Sequence, residues 1–477
     1  MIDILFQTIF DFCRASYDAG YIFAFVVAVF LLLSGLDDIL LDLYYWFLYV
    51  ISPGRLNKYR SEPREKLYRT PEKPIAIFVP AWHEYDVIDK MLINACSTLQ
   101  YYHYDIFVGV YPNDPQTIEK VRKVADQYPQ VHMVISTHPG PSTKAENLNE
   151  IHQGMLKWEN MTGTRYDVIV MHDAEDVIHP MSLKIHNYFI PEYDMVQLPV
   201  FPLEIGQKEI THWIYADEFA ESHTKDMMAR QLFSTFVPSA GVGTGYNRWL
   251  VEFVGTSFAR NIFRRASLTE DYDIALRLAL GEAKLLFLYK PFGFNVATRA
   301  FFPTTLGTSI RQRTRWLIGI CLQSWSNVGW IGNWRFRFAL YRDRKAVITN
   351  LVNALAYVLL LYVLLYEAVR LGLTQYGTLA PIINPGDPLY TIVLIDTIFM
   401  LWRFLHRFLT VTRVYGVFAG LMSLLRLPIG NFLNFMATAR GINQYFSSKR
   451  NGGRVAWDKT AHTFPSHVHP VAKEMAQ

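Results

Sequence analysis

The chain has 477 residues and a nearly balanced charge, with 46 Lys and Arg against 42 Asp and Glu. This balance argues against a nucleic-acid-binding protein, which would carry a strongly basic surface. Charged residues make up 18% of the chain and aromatic residues 15%, whereas about 25% of residues are charged in typical soluble domains. The composition argues against disorder and indicates a chain that partly faces lipid. Its three cysteines, Cys13, Cys96 and Cys321, are far apart, which excludes a disulfide scaffold or a zinc module.

The N-terminal part of the chain predicts one membrane-spanning helix. Apolar residues at helical spacing within residues 1–20 indicate a helix that lies in the membrane interface. Within residues 21–51, the apolar run is long enough to cross a hydrocarbon core of about 30 Å, although a buried soluble helix is the alternative. Seven cations follow this run, and only Arg14 precedes it; the seven are Arg55, Lys58, Arg60, Arg64, Lys66, Arg69 and Lys73. The positive-inside rule therefore places the chain from residue 52 onward in the cytoplasm.

Residues 52–300 predict a soluble α/β domain. Short apolar runs that read as buried strands lie at residues 75–80, 106–111, 132–136, 167–172 and 195–199. Polar helical stretches such as 117–127 and 144–158 separate them. Strands that alternate with helices predict a mostly parallel sheet with helices on both faces. Ligands bind such sheets at the carboxyl ends of the strands.

The C-terminal part predicts further membrane segments. Residues 301–340 indicate amphipathic interface helices, and residues 346–373 and 389–409 predict two spans. The run at residues 417–436 contains Arg426, Pro428 and Gly430, which are costly in a lipid-exposed span. A re-entrant or interfacial helix is favoured there, with a full span as the alternative. The favoured reading gives three spans in all and leaves residues 437–477 as a cytoplasmic tail.

Polar side chains follow the predicted strands of the α/β domain. They are His83 and Glu84 after the first strand, Asn113 and Asp114 after the second, and Asp173, Glu175 and Asp176 after the fourth. Carboxylates gathered at one sheet edge repel one another unless a cation binds among them. Oxygen ligands of this kind suit Mg²⁺ or Mn²⁺ better than zinc.

Two further motifs follow in the chain. LTEDYD places Thr269, Glu270 and Asp271 at a predicted helix start, which by itself is an ordinary N-terminal pattern. QRTRW then begins an aromatic-rich amphipathic stretch, which by itself predicts a basic interfacial helix. Its polar and aromatic members are Gln312, Arg313, Arg315 and Trp316.

The ordered set of motifs resembles the membrane-embedded processive glycosyltransferases of family two, which include the cellulose, chitin and hyaluronan synthases. The resemblance extends over residues 70–440. The phrases SGLDDILLD, YPNDPQT, MHDAEDVIHP and WDKTAHTFP further resemble the bacterial phage-adsorption protein B type of this family. Members of that type are inner-membrane glycosyltransferases with an outer-membrane partner. Longer members continue into a domain that binds cyclic di-GMP, which the sequence shown here is expected to lack.

The resemblance implies a cytoplasmic nucleotide-diphospho-sugar transferase domain of the GT-A type, flanked by transmembrane and interfacial helices. The residues that would bind the nucleotide sugar are Pro80, His83, Glu84, Asp114, Lys144 and Asp173. Asp173 and Glu175 would hold Mg²⁺ or Mn²⁺, with Asp176 as an alternative ligand because the family usually has Asp where this chain has Glu175. Within the TED motif, Thr269, Glu270 and Asp271, the last residue would act as the general base. The residues that would contact the diphosphate or the acceptor are Gln312, Arg313, Arg315 and Trp316.

The predicted function is that of an inverting, metal-dependent glycosyltransferase of the bacterial inner membrane. It would transfer an N-acetylhexosamine from a UDP-sugar to a growing exopolysaccharide. Two alternatives are transfer of a single sugar to a polyprenyl phosphate and a non-catalytic role as a scaffold or phage-receptor partner. The expected partners are the UDP-sugar, the glycan acceptor, the lipid bilayer and an outer-membrane secretion or receptor protein, with no nucleic acid.

Overall fold

The computed structural model describes residues 1–234, 236–256 and 261–451. The end of the predicted tail, residues 452–477, lies outside the described residues, and so does the WDKTAHTFP phrase. The chain begins with helices α1 (Ile2–Ala15) and α2 (Tyr17–Ile51). An α/β domain follows, and three long helices complete the described chain.

The centre of the α/β domain is a sheet with the strand order β3-β2-β1-β4-β7-β5-β8, beside a two-stranded sheet of β6 and β9. The strands are β1 (Ile75–Pro80), β2 (Tyr104–Val110), β3 (Val131–Ile135), β4 (Val168–Met171), β5 (Met195–Gln197), β6 (Val200–Pro202), β7 (Thr244–Asn247), β8 (Leu285–Phe287) and β9 (Thr298–Ala300). Only β7 runs antiparallel to its neighbours among the described strands. The mostly parallel sheet predicted from the sequence is confirmed, and all five predicted strands are present.

Helices cover both faces of the central sheet. Those of the α/β domain are α3 (Pro53–Leu56), α4 (Arg64–Arg69), α5 (Ile88–Thr98), α6 (Pro115–Ala125), α7 (Lys144–Thr162), α8 (Ser182–Phe189), α9 (Ile210–Glu221), α10 (Met227–Ser234), α11 (Arg248–Thr256), α12 (Glu270–Leu280), α13 (Leu306–Trp316), α14 (Ser324–Val328) and α15 (Trp334–Arg344). Strand side chains alternate between the two faces. In β1, Ala76 and Phe78 join one hydrophobic core, whereas Ile75, Ile77 and Val79 join the other.

The register of the sheet brings several loops to one edge. Pro80 of β1 pairs with Gly109 of β2, and Phe78 pairs with Met171 of β4. Because these three strands are parallel and aligned, the loops that follow them leave the sheet side by side. The polar residues of those loops are therefore neighbours although the sequence separates them by 30 to 90 residues.

Four of the described helices are long and apolar enough to cross a membrane: α2, α16 (Ala346–Gly372), α17 (Pro388–Tyr415) and α18 (Val417–Arg450). The sequence predicted three. The difference is α18, which continues through Pro428 to Arg450, so the predicted boundary at residue 436 does not coincide with a helix end.

Helix α18 packs one face against the α/β domain over much of its length. The Arg426 guanidinium donates to both carboxylate oxygens of Asp217 in α9, at 2.8 and 2.7 Å. Further along, Asn434 accepts from Arg313 of α13 at 2.7 Å, and the Ala437 carbonyl accepts from Thr314. The opposite face exposes large apolar side chains: Val417, Phe418, Leu421, Leu425, Ile429, Phe432 and Met436. Helix α18 therefore has one face packed against protein and an opposite face that exposes apolar side chains.

Candidate active site

The loops after β1 and β2 are fastened to each other by a buried carboxylate. Asp114 caps helix α6, since its Oδ1 accepts from the Thr117 backbone at 3.3 Å, and its Oδ2 accepts from the His83 backbone at 2.6 Å. The Thr117 hydroxyl in turn accepts from the Glu84 backbone at 3.1 Å. Asp114 therefore shapes the pocket from behind, while Glu84 lines it.

Aromatic side chains form the wall of this part of the cleft. Trp82 lies edge-on to Tyr111, with ring centroids 5.0 Å apart, and Pro80 lies beside them. The His83 ring lies 4.0 Å from the Trp82 ring, centroid to centroid, outside the cleft lining. Sequence reasoning missed Trp82 and Tyr111 as site residues, although Trp82 lies two residues after the first predicted strand and Tyr111 ends the second. A flat apolar wall with a polar rim is suited to a planar base.

An ammonium group lies among the carboxylates of the cleft. Lys144, the first residue of α7, places its Nζ 2.5 Å from Asp173 Oδ1 and 3.6 Å from Glu270 Oε1. Burial disfavours the charged ammonium, but Asp173, Glu270 and Asp271 outweigh that effect and raise the pKa of Lys144. For the two carboxylates, burial also disfavours the charged form, which raises the pKa of Glu270 to about 7 and raises the pKa of Asp271. The positive charge of Lys144 opposes both of these shifts.

The carboxylates of the acidic loop after β4 have two different roles: two line the cleft, and the third makes hydrogen bonds within the loop. Asp173 and Glu175 line the cleft. Asp176 also borders the cleft, but its Oδ2 accepts from His172 Nδ1 at 2.8 Å and from the Asp173 backbone at 3.0 Å. Burial lowers the pKa of His172 to about 3, so the ring is neutral and donates this hydrogen bond. One Asp176 oxygen is thus committed to holding the loop.

The charge of the cleft suits a divalent cation. Its lining carries two cationic side chains, Lys144 and Arg315, against six carboxylates: Glu84, Asp173, Glu175, Asp176, Glu270 and Asp271. Within residues 1–234, 236–256 and 261–451, no three His, Cys, Asp or Glu side chains converge as a complete metal site. Mg²⁺ is commonly bound by one or two carboxylates together with substrate phosphate oxygens. The residues present therefore fit an ion that arrives with a diphosphate.

The TED motif opens helix α12 at the cleft. Thr269 and Glu270 line the cleft beside Asp271, whose Oδ1 accepts from the Tyr272 backbone at 2.7 Å. Gly241 lies directly behind Asp271: its φ is +77°, and a Cβ there would lie 2.5 Å from Asp271 Oδ2. The carboxylate is held between its own helix and the backbone of the loop before β7.

Helix α13 contributes three of its four predicted residues to the cleft. Gln312, Arg315 and Trp316 line it, and Gln312 Oε1 is buried without a hydrogen-bond partner among the described residues. Arg313 does not join them. Its guanidinium stacks on the Tyr215 ring, 4.2 Å from the centroid, and pairs with Glu218 at 2.9 Å. Each helical residue is rotated by about 100° from the last, which turns Arg313 away from its neighbour Gln312.

Residues 71–319 match the family model described as glycosyltransferase like family 2, and the chain belongs to this family. It is 38% identical over 466 residues to bacteriophage adsorption protein B of Escherichia coli strain K12 and to bacteriophage N4 adsorption protein B of Escherichia coli O157:H7. Each match covers 93% of this chain and 62% of the relative, so the chain spans less than two thirds of the relatives' length. The predicted family and its phage-adsorption type are confirmed, and so is the predicted GT-A type of α/β domain.

Solved structures of glycosyltransferases are similar at a much lower level. Mannosyltransferase PcManGT from Pyrobaculum calidifontis, in complex with GDP-Man and Mn²⁺, is 14% identical, with a TM-score of 0.48 over 84% of this chain and 99% of that chain. S. aureus TarS 1-349 is 12% identical, with a TM-score of 0.35 over 82% of this chain and 100% of that chain. At this level of similarity, neither defines the substrate or the metal of the present chain.

Proposed function

We propose that this glycosyltransferase is an inverting, metal-dependent enzyme that transfers a sugar from a UDP donor to a growing exopolysaccharide. The observation that carries the proposal is one cleft that contains Lys144, Asp173 and Asp271 together with Gln312 and Trp316. Donor-binding, base and acceptor groups are thereby available to a single displacement. The choice of UDP and of an N-acetylhexosamine rests on the family resemblance.

The donor is proposed to bind along the ends of β1, β2 and β4. The uracil ring would lie against Trp82 and Tyr111, with Glu84 accepting a hydrogen bond at the polar rim. Asp114 would keep that pocket in shape through the His83 backbone. Lys144 would turn its ammonium from Asp173 to the diphosphate, where a flexible point charge is well suited to phosphate oxygens.

The divalent ion is proposed to lie beside Asp173 and Glu175. When bound there, Mg²⁺ or Mn²⁺ would neutralise the diphosphate of the departing nucleotide. Arg315, which lines the same cleft, would add a planar donor fork for phosphate oxygens. Asp176 would contribute by holding the loop that carries both carboxylates.

Asp271 is proposed as the general base. The acceptor hydroxyl oxygen attacks the anomeric carbon while Asp271 takes its proton, and the bond from that carbon to the diphosphate oxygen breaks with its electron pair on the diphosphate. A single displacement from the opposite face inverts the anomeric centre. The raised pKa of Asp271 brings the base nearer to neutral pH, where general-base catalysis is most effective.

The acceptor is proposed to bind against α13. Gln312 Oε1 can accept a hydrogen bond from a sugar hydroxyl, and Trp316 offers an apolar face to a sugar ring. Tyr215 supports Trp316 from the side, with centroids 5.7 Å apart and the rings nearly perpendicular. Thr269 and Glu270 complete the wall between the acceptor and donor regions.

The α/β domain is proposed to face the cytoplasm of a bacterial inner membrane. The cations after α2 support this orientation by the positive-inside rule. Helices α2, α16 and α17 would cross the bilayer. Helix α18 would lie in the membrane surface, because the Arg426–Asp217 and Asn434–Arg313 contacts hold it along the α/β domain.

Two other functions remain distinct candidates. If α18 lies in the membrane surface, three of the four candidate helices among the described residues would cross the bilayer. Three helices offer few faces to enclose a polymer conduit, which favours a polyprenyl-phosphate acceptor as the second candidate. The names of the relatives favour a role in phage adsorption, with an outer-membrane protein as partner. In that case the chain could serve as a scaffold without turnover.

The deciding experiment is a UDP-release assay on the purified, detergent-solubilised protein with Mg²⁺ or Mn²⁺ and a panel of UDP-sugars. We expect turnover of one donor, dependence on the ion, and a loss of at least 100-fold in Asp271→Asn. The matched control is Asp126→Asn, which removes a carboxylate from the exposed end of α6. Product analysis then separates a polymer from a single lipid-linked sugar.

No turnover of any donor by the wild-type protein would contradict the enzymatic proposal. The scaffold alternative would then predict that Asp271→Asn retains the ability of the wild-type protein to support phage adsorption in cells. Equal activity of Asp271→Asn and wild type would instead show that another group takes the proton.

A further inference from the structure

Asp343 of α15 accepts hydrogen bonds from two elements of the α/β domain. The Arg230 guanidinium of α10 donates to both carboxylate oxygens at 2.6 Å each, and the Tyr272 hydroxyl of α12 donates to Oδ2 at 2.7 Å. The Asp343 side chain is 13% exposed. Its carboxylate is therefore a largely buried junction between three helices, and the bidentate contact with Arg230 fixes its orientation.

The junction touches the residue next to the proposed general base. Tyr272 follows Asp271 in the first turn of α12, is 3% exposed, and donates its backbone N–H to Asp271 Oδ1. Its ring packs edge-on against Phe236, with centroids 5.7 Å apart. A phenylalanine at position 272 could make the same ring contact with Phe236. The Tyr272 hydroxyl is therefore needed only for its hydrogen bond to Asp343.

Helix α2 is bound to the end of α15, next to Asp343, by ion pairs. Arg342, which precedes Asp343, and Lys345, two residues after it, pair with Asp37 of α2 at 2.8 and 2.7 Å. Both also lie 3.1 Å from Asp38. Arg342 further donates to the Asp37 backbone carbonyl at 2.9 Å. The acidic residues of the SGLDDILLD phrase thus fasten the end of α15 to the membrane helix.

We propose that Asp343 and Tyr272 are positioning residues that hold Asp271 in register with the cleft, and that Asp37 of α2 holds Asp343 in turn. The inference rests on the proposed role of Asp271. The chain of contacts runs from Asp37 to Arg342, along the backbone to Asp343, and through the Tyr272 hydroxyl to the first turn of α12. A shift of about 1 Å at a reacting group can lower a rate by roughly 100-fold, so a single hydrogen bond at this place matters for turnover.

The test compares two tyrosines that make the same contact. Tyr166 also donates its buried hydroxyl to a carboxylate, Asp105 Oδ2 at 2.5 Å, but it precedes β4 at the opposite end of the sheet from the cleft. We expect Tyr272→Phe to lower kcat by about tenfold with the donor KM within twofold of wild type. Tyr166→Phe should leave both constants unchanged, even where its melting temperature falls by as much as that of Tyr272→Phe.

A double variant separates positioning from simple loss of structure. Asp343→Ala and Tyr272→Phe together should lower kcat no further than Asp343→Ala alone, because both remove the same link. Asp37→Asn should lower kcat in the same direction with the donor KM unchanged. A Tyr272→Phe variant with wild-type kcat, or equal losses in Tyr272→Phe and Tyr166→Phe, would overturn the inference.

Hydrogen exchange of α12 tests whether the Tyr272–Asp343 contact restrains the start of this helix, even if the wild-type protein shows no turnover. The amides at the start of Glu270–Leu280 should exchange faster in Tyr272→Phe than in wild type, with no change there in Tyr166→Phe. An inactive wild type with this exchange pattern would reject the proposed function and retain the positioning contact. Unchanged exchange in Tyr272→Phe would reject the contact as a restraint on Asp271.

Discussion

The ammonium of Lys144 lies 2.5 Å from Asp173 Oδ1, although the two residues belong to different elements, the start of α7 and the loop after β4. The pair lies in the same cleft as Asp271 and Glu270. The positive charge of Lys144 opposes the effect of burial on both of these carboxylates, so it keeps them closer to the ionised form. Lys144 is thereby linked to the base as well as to the proposed donor.

Lys144→Gln should move the acid side of the pH–rate profile. Because Lys144 lowers the pKa of Asp271, its removal raises that pKa, and a higher pH is needed to keep the base ionised. The residual kcat should therefore reach half its maximum at a higher pH than in wild type. The measurement is kcat against pH at saturating donor. Lys157→Gln, at an exposed position of the same helix, should keep the wild-type profile, and a coincident profile in Lys144→Gln would contradict the linkage.

Asp173→Asn and Asp176→Asn should fail in different ways. Asp173→Asn should weaken Mn²⁺ binding in the presence of UDP and lower kcat by about 100-fold, with little change in melting temperature. Asp176→Asn disturbs the bonds to His172 and the Asp173 backbone, so it should destabilise the fold by about 1–3 kcal/mol. Electron paramagnetic resonance of Mn²⁺ and thermal unfolding in detergent provide the two measurements. Equal melting temperatures in the two variants would refute the division of tasks.

Gly241→Ala should impair catalysis more than its backbone strain explains. Gly241 and Gly163 share a φ of +77°, so an alanine at either position costs about 1–2 kcal/mol. Gly163 has nothing within 4 Å of its added methyl, whereas the methyl at Gly241 would displace Asp271. We expect a loss of at least tenfold in kcat for Gly241→Ala and wild-type kcat for Gly163→Ala. Similar kinetics in the two variants would show that Asp271 is not held by this contact.

Nitroxide labels should report a single membrane depth along α18. Positions 418 and 425 lie seven residues apart, or about 10.5 Å along the helix, and both carry exposed apolar side chains. If α18 lies in the membrane surface, labels at the two positions are equally accessible to a membrane-soluble relaxation agent. Labels at Ile348 and Leu361 of α16 should differ strongly, because that helix is proposed to cross the bilayer. A strong difference between 418 and 425 would show that α18 crosses as well.

The sequence predicts the central strands because each is a continuous apolar run of strand length. Strands β6 to β9 were missed, since runs of three or four residues such as Thr244–Asn247 carry too few side chains for a pattern. The length of α18 was also missed, because Arg426 and Pro428 suggest an interruption. Its Arg426 is satisfied by Asp217, more than 200 residues away, and this contact cannot be read from local sequence.

The site residues that belong to a sequence motif can be predicted from the sequence. The site contacts that form only when distant segments pack together cannot. Asp173, Glu270, Asp271 and Gln312 follow from their motifs, and the structure brings them into one cleft. The close approach of Gly241 to Asp271 depends on how two loops meet, so no local sequence pattern predicts it.

The carboxylates of α2 change what counts as the smallest stable piece of this protein. Lys225 is 3% exposed and pairs with Asp42, while Arg342 and Lys345 pair with Asp37. A fragment cut at residue 52 would keep these three cations but lose the carboxylates of Asp37 and Asp42, which is costly for buried charges; Lys225 would retain only Glu221 and Asp226. The same cut would uncover the apolar side chains that pack against Leu41 and Tyr45. Helix α2 is therefore a component of the folding unit of the α/β domain, in addition to its proposed role as a membrane helix.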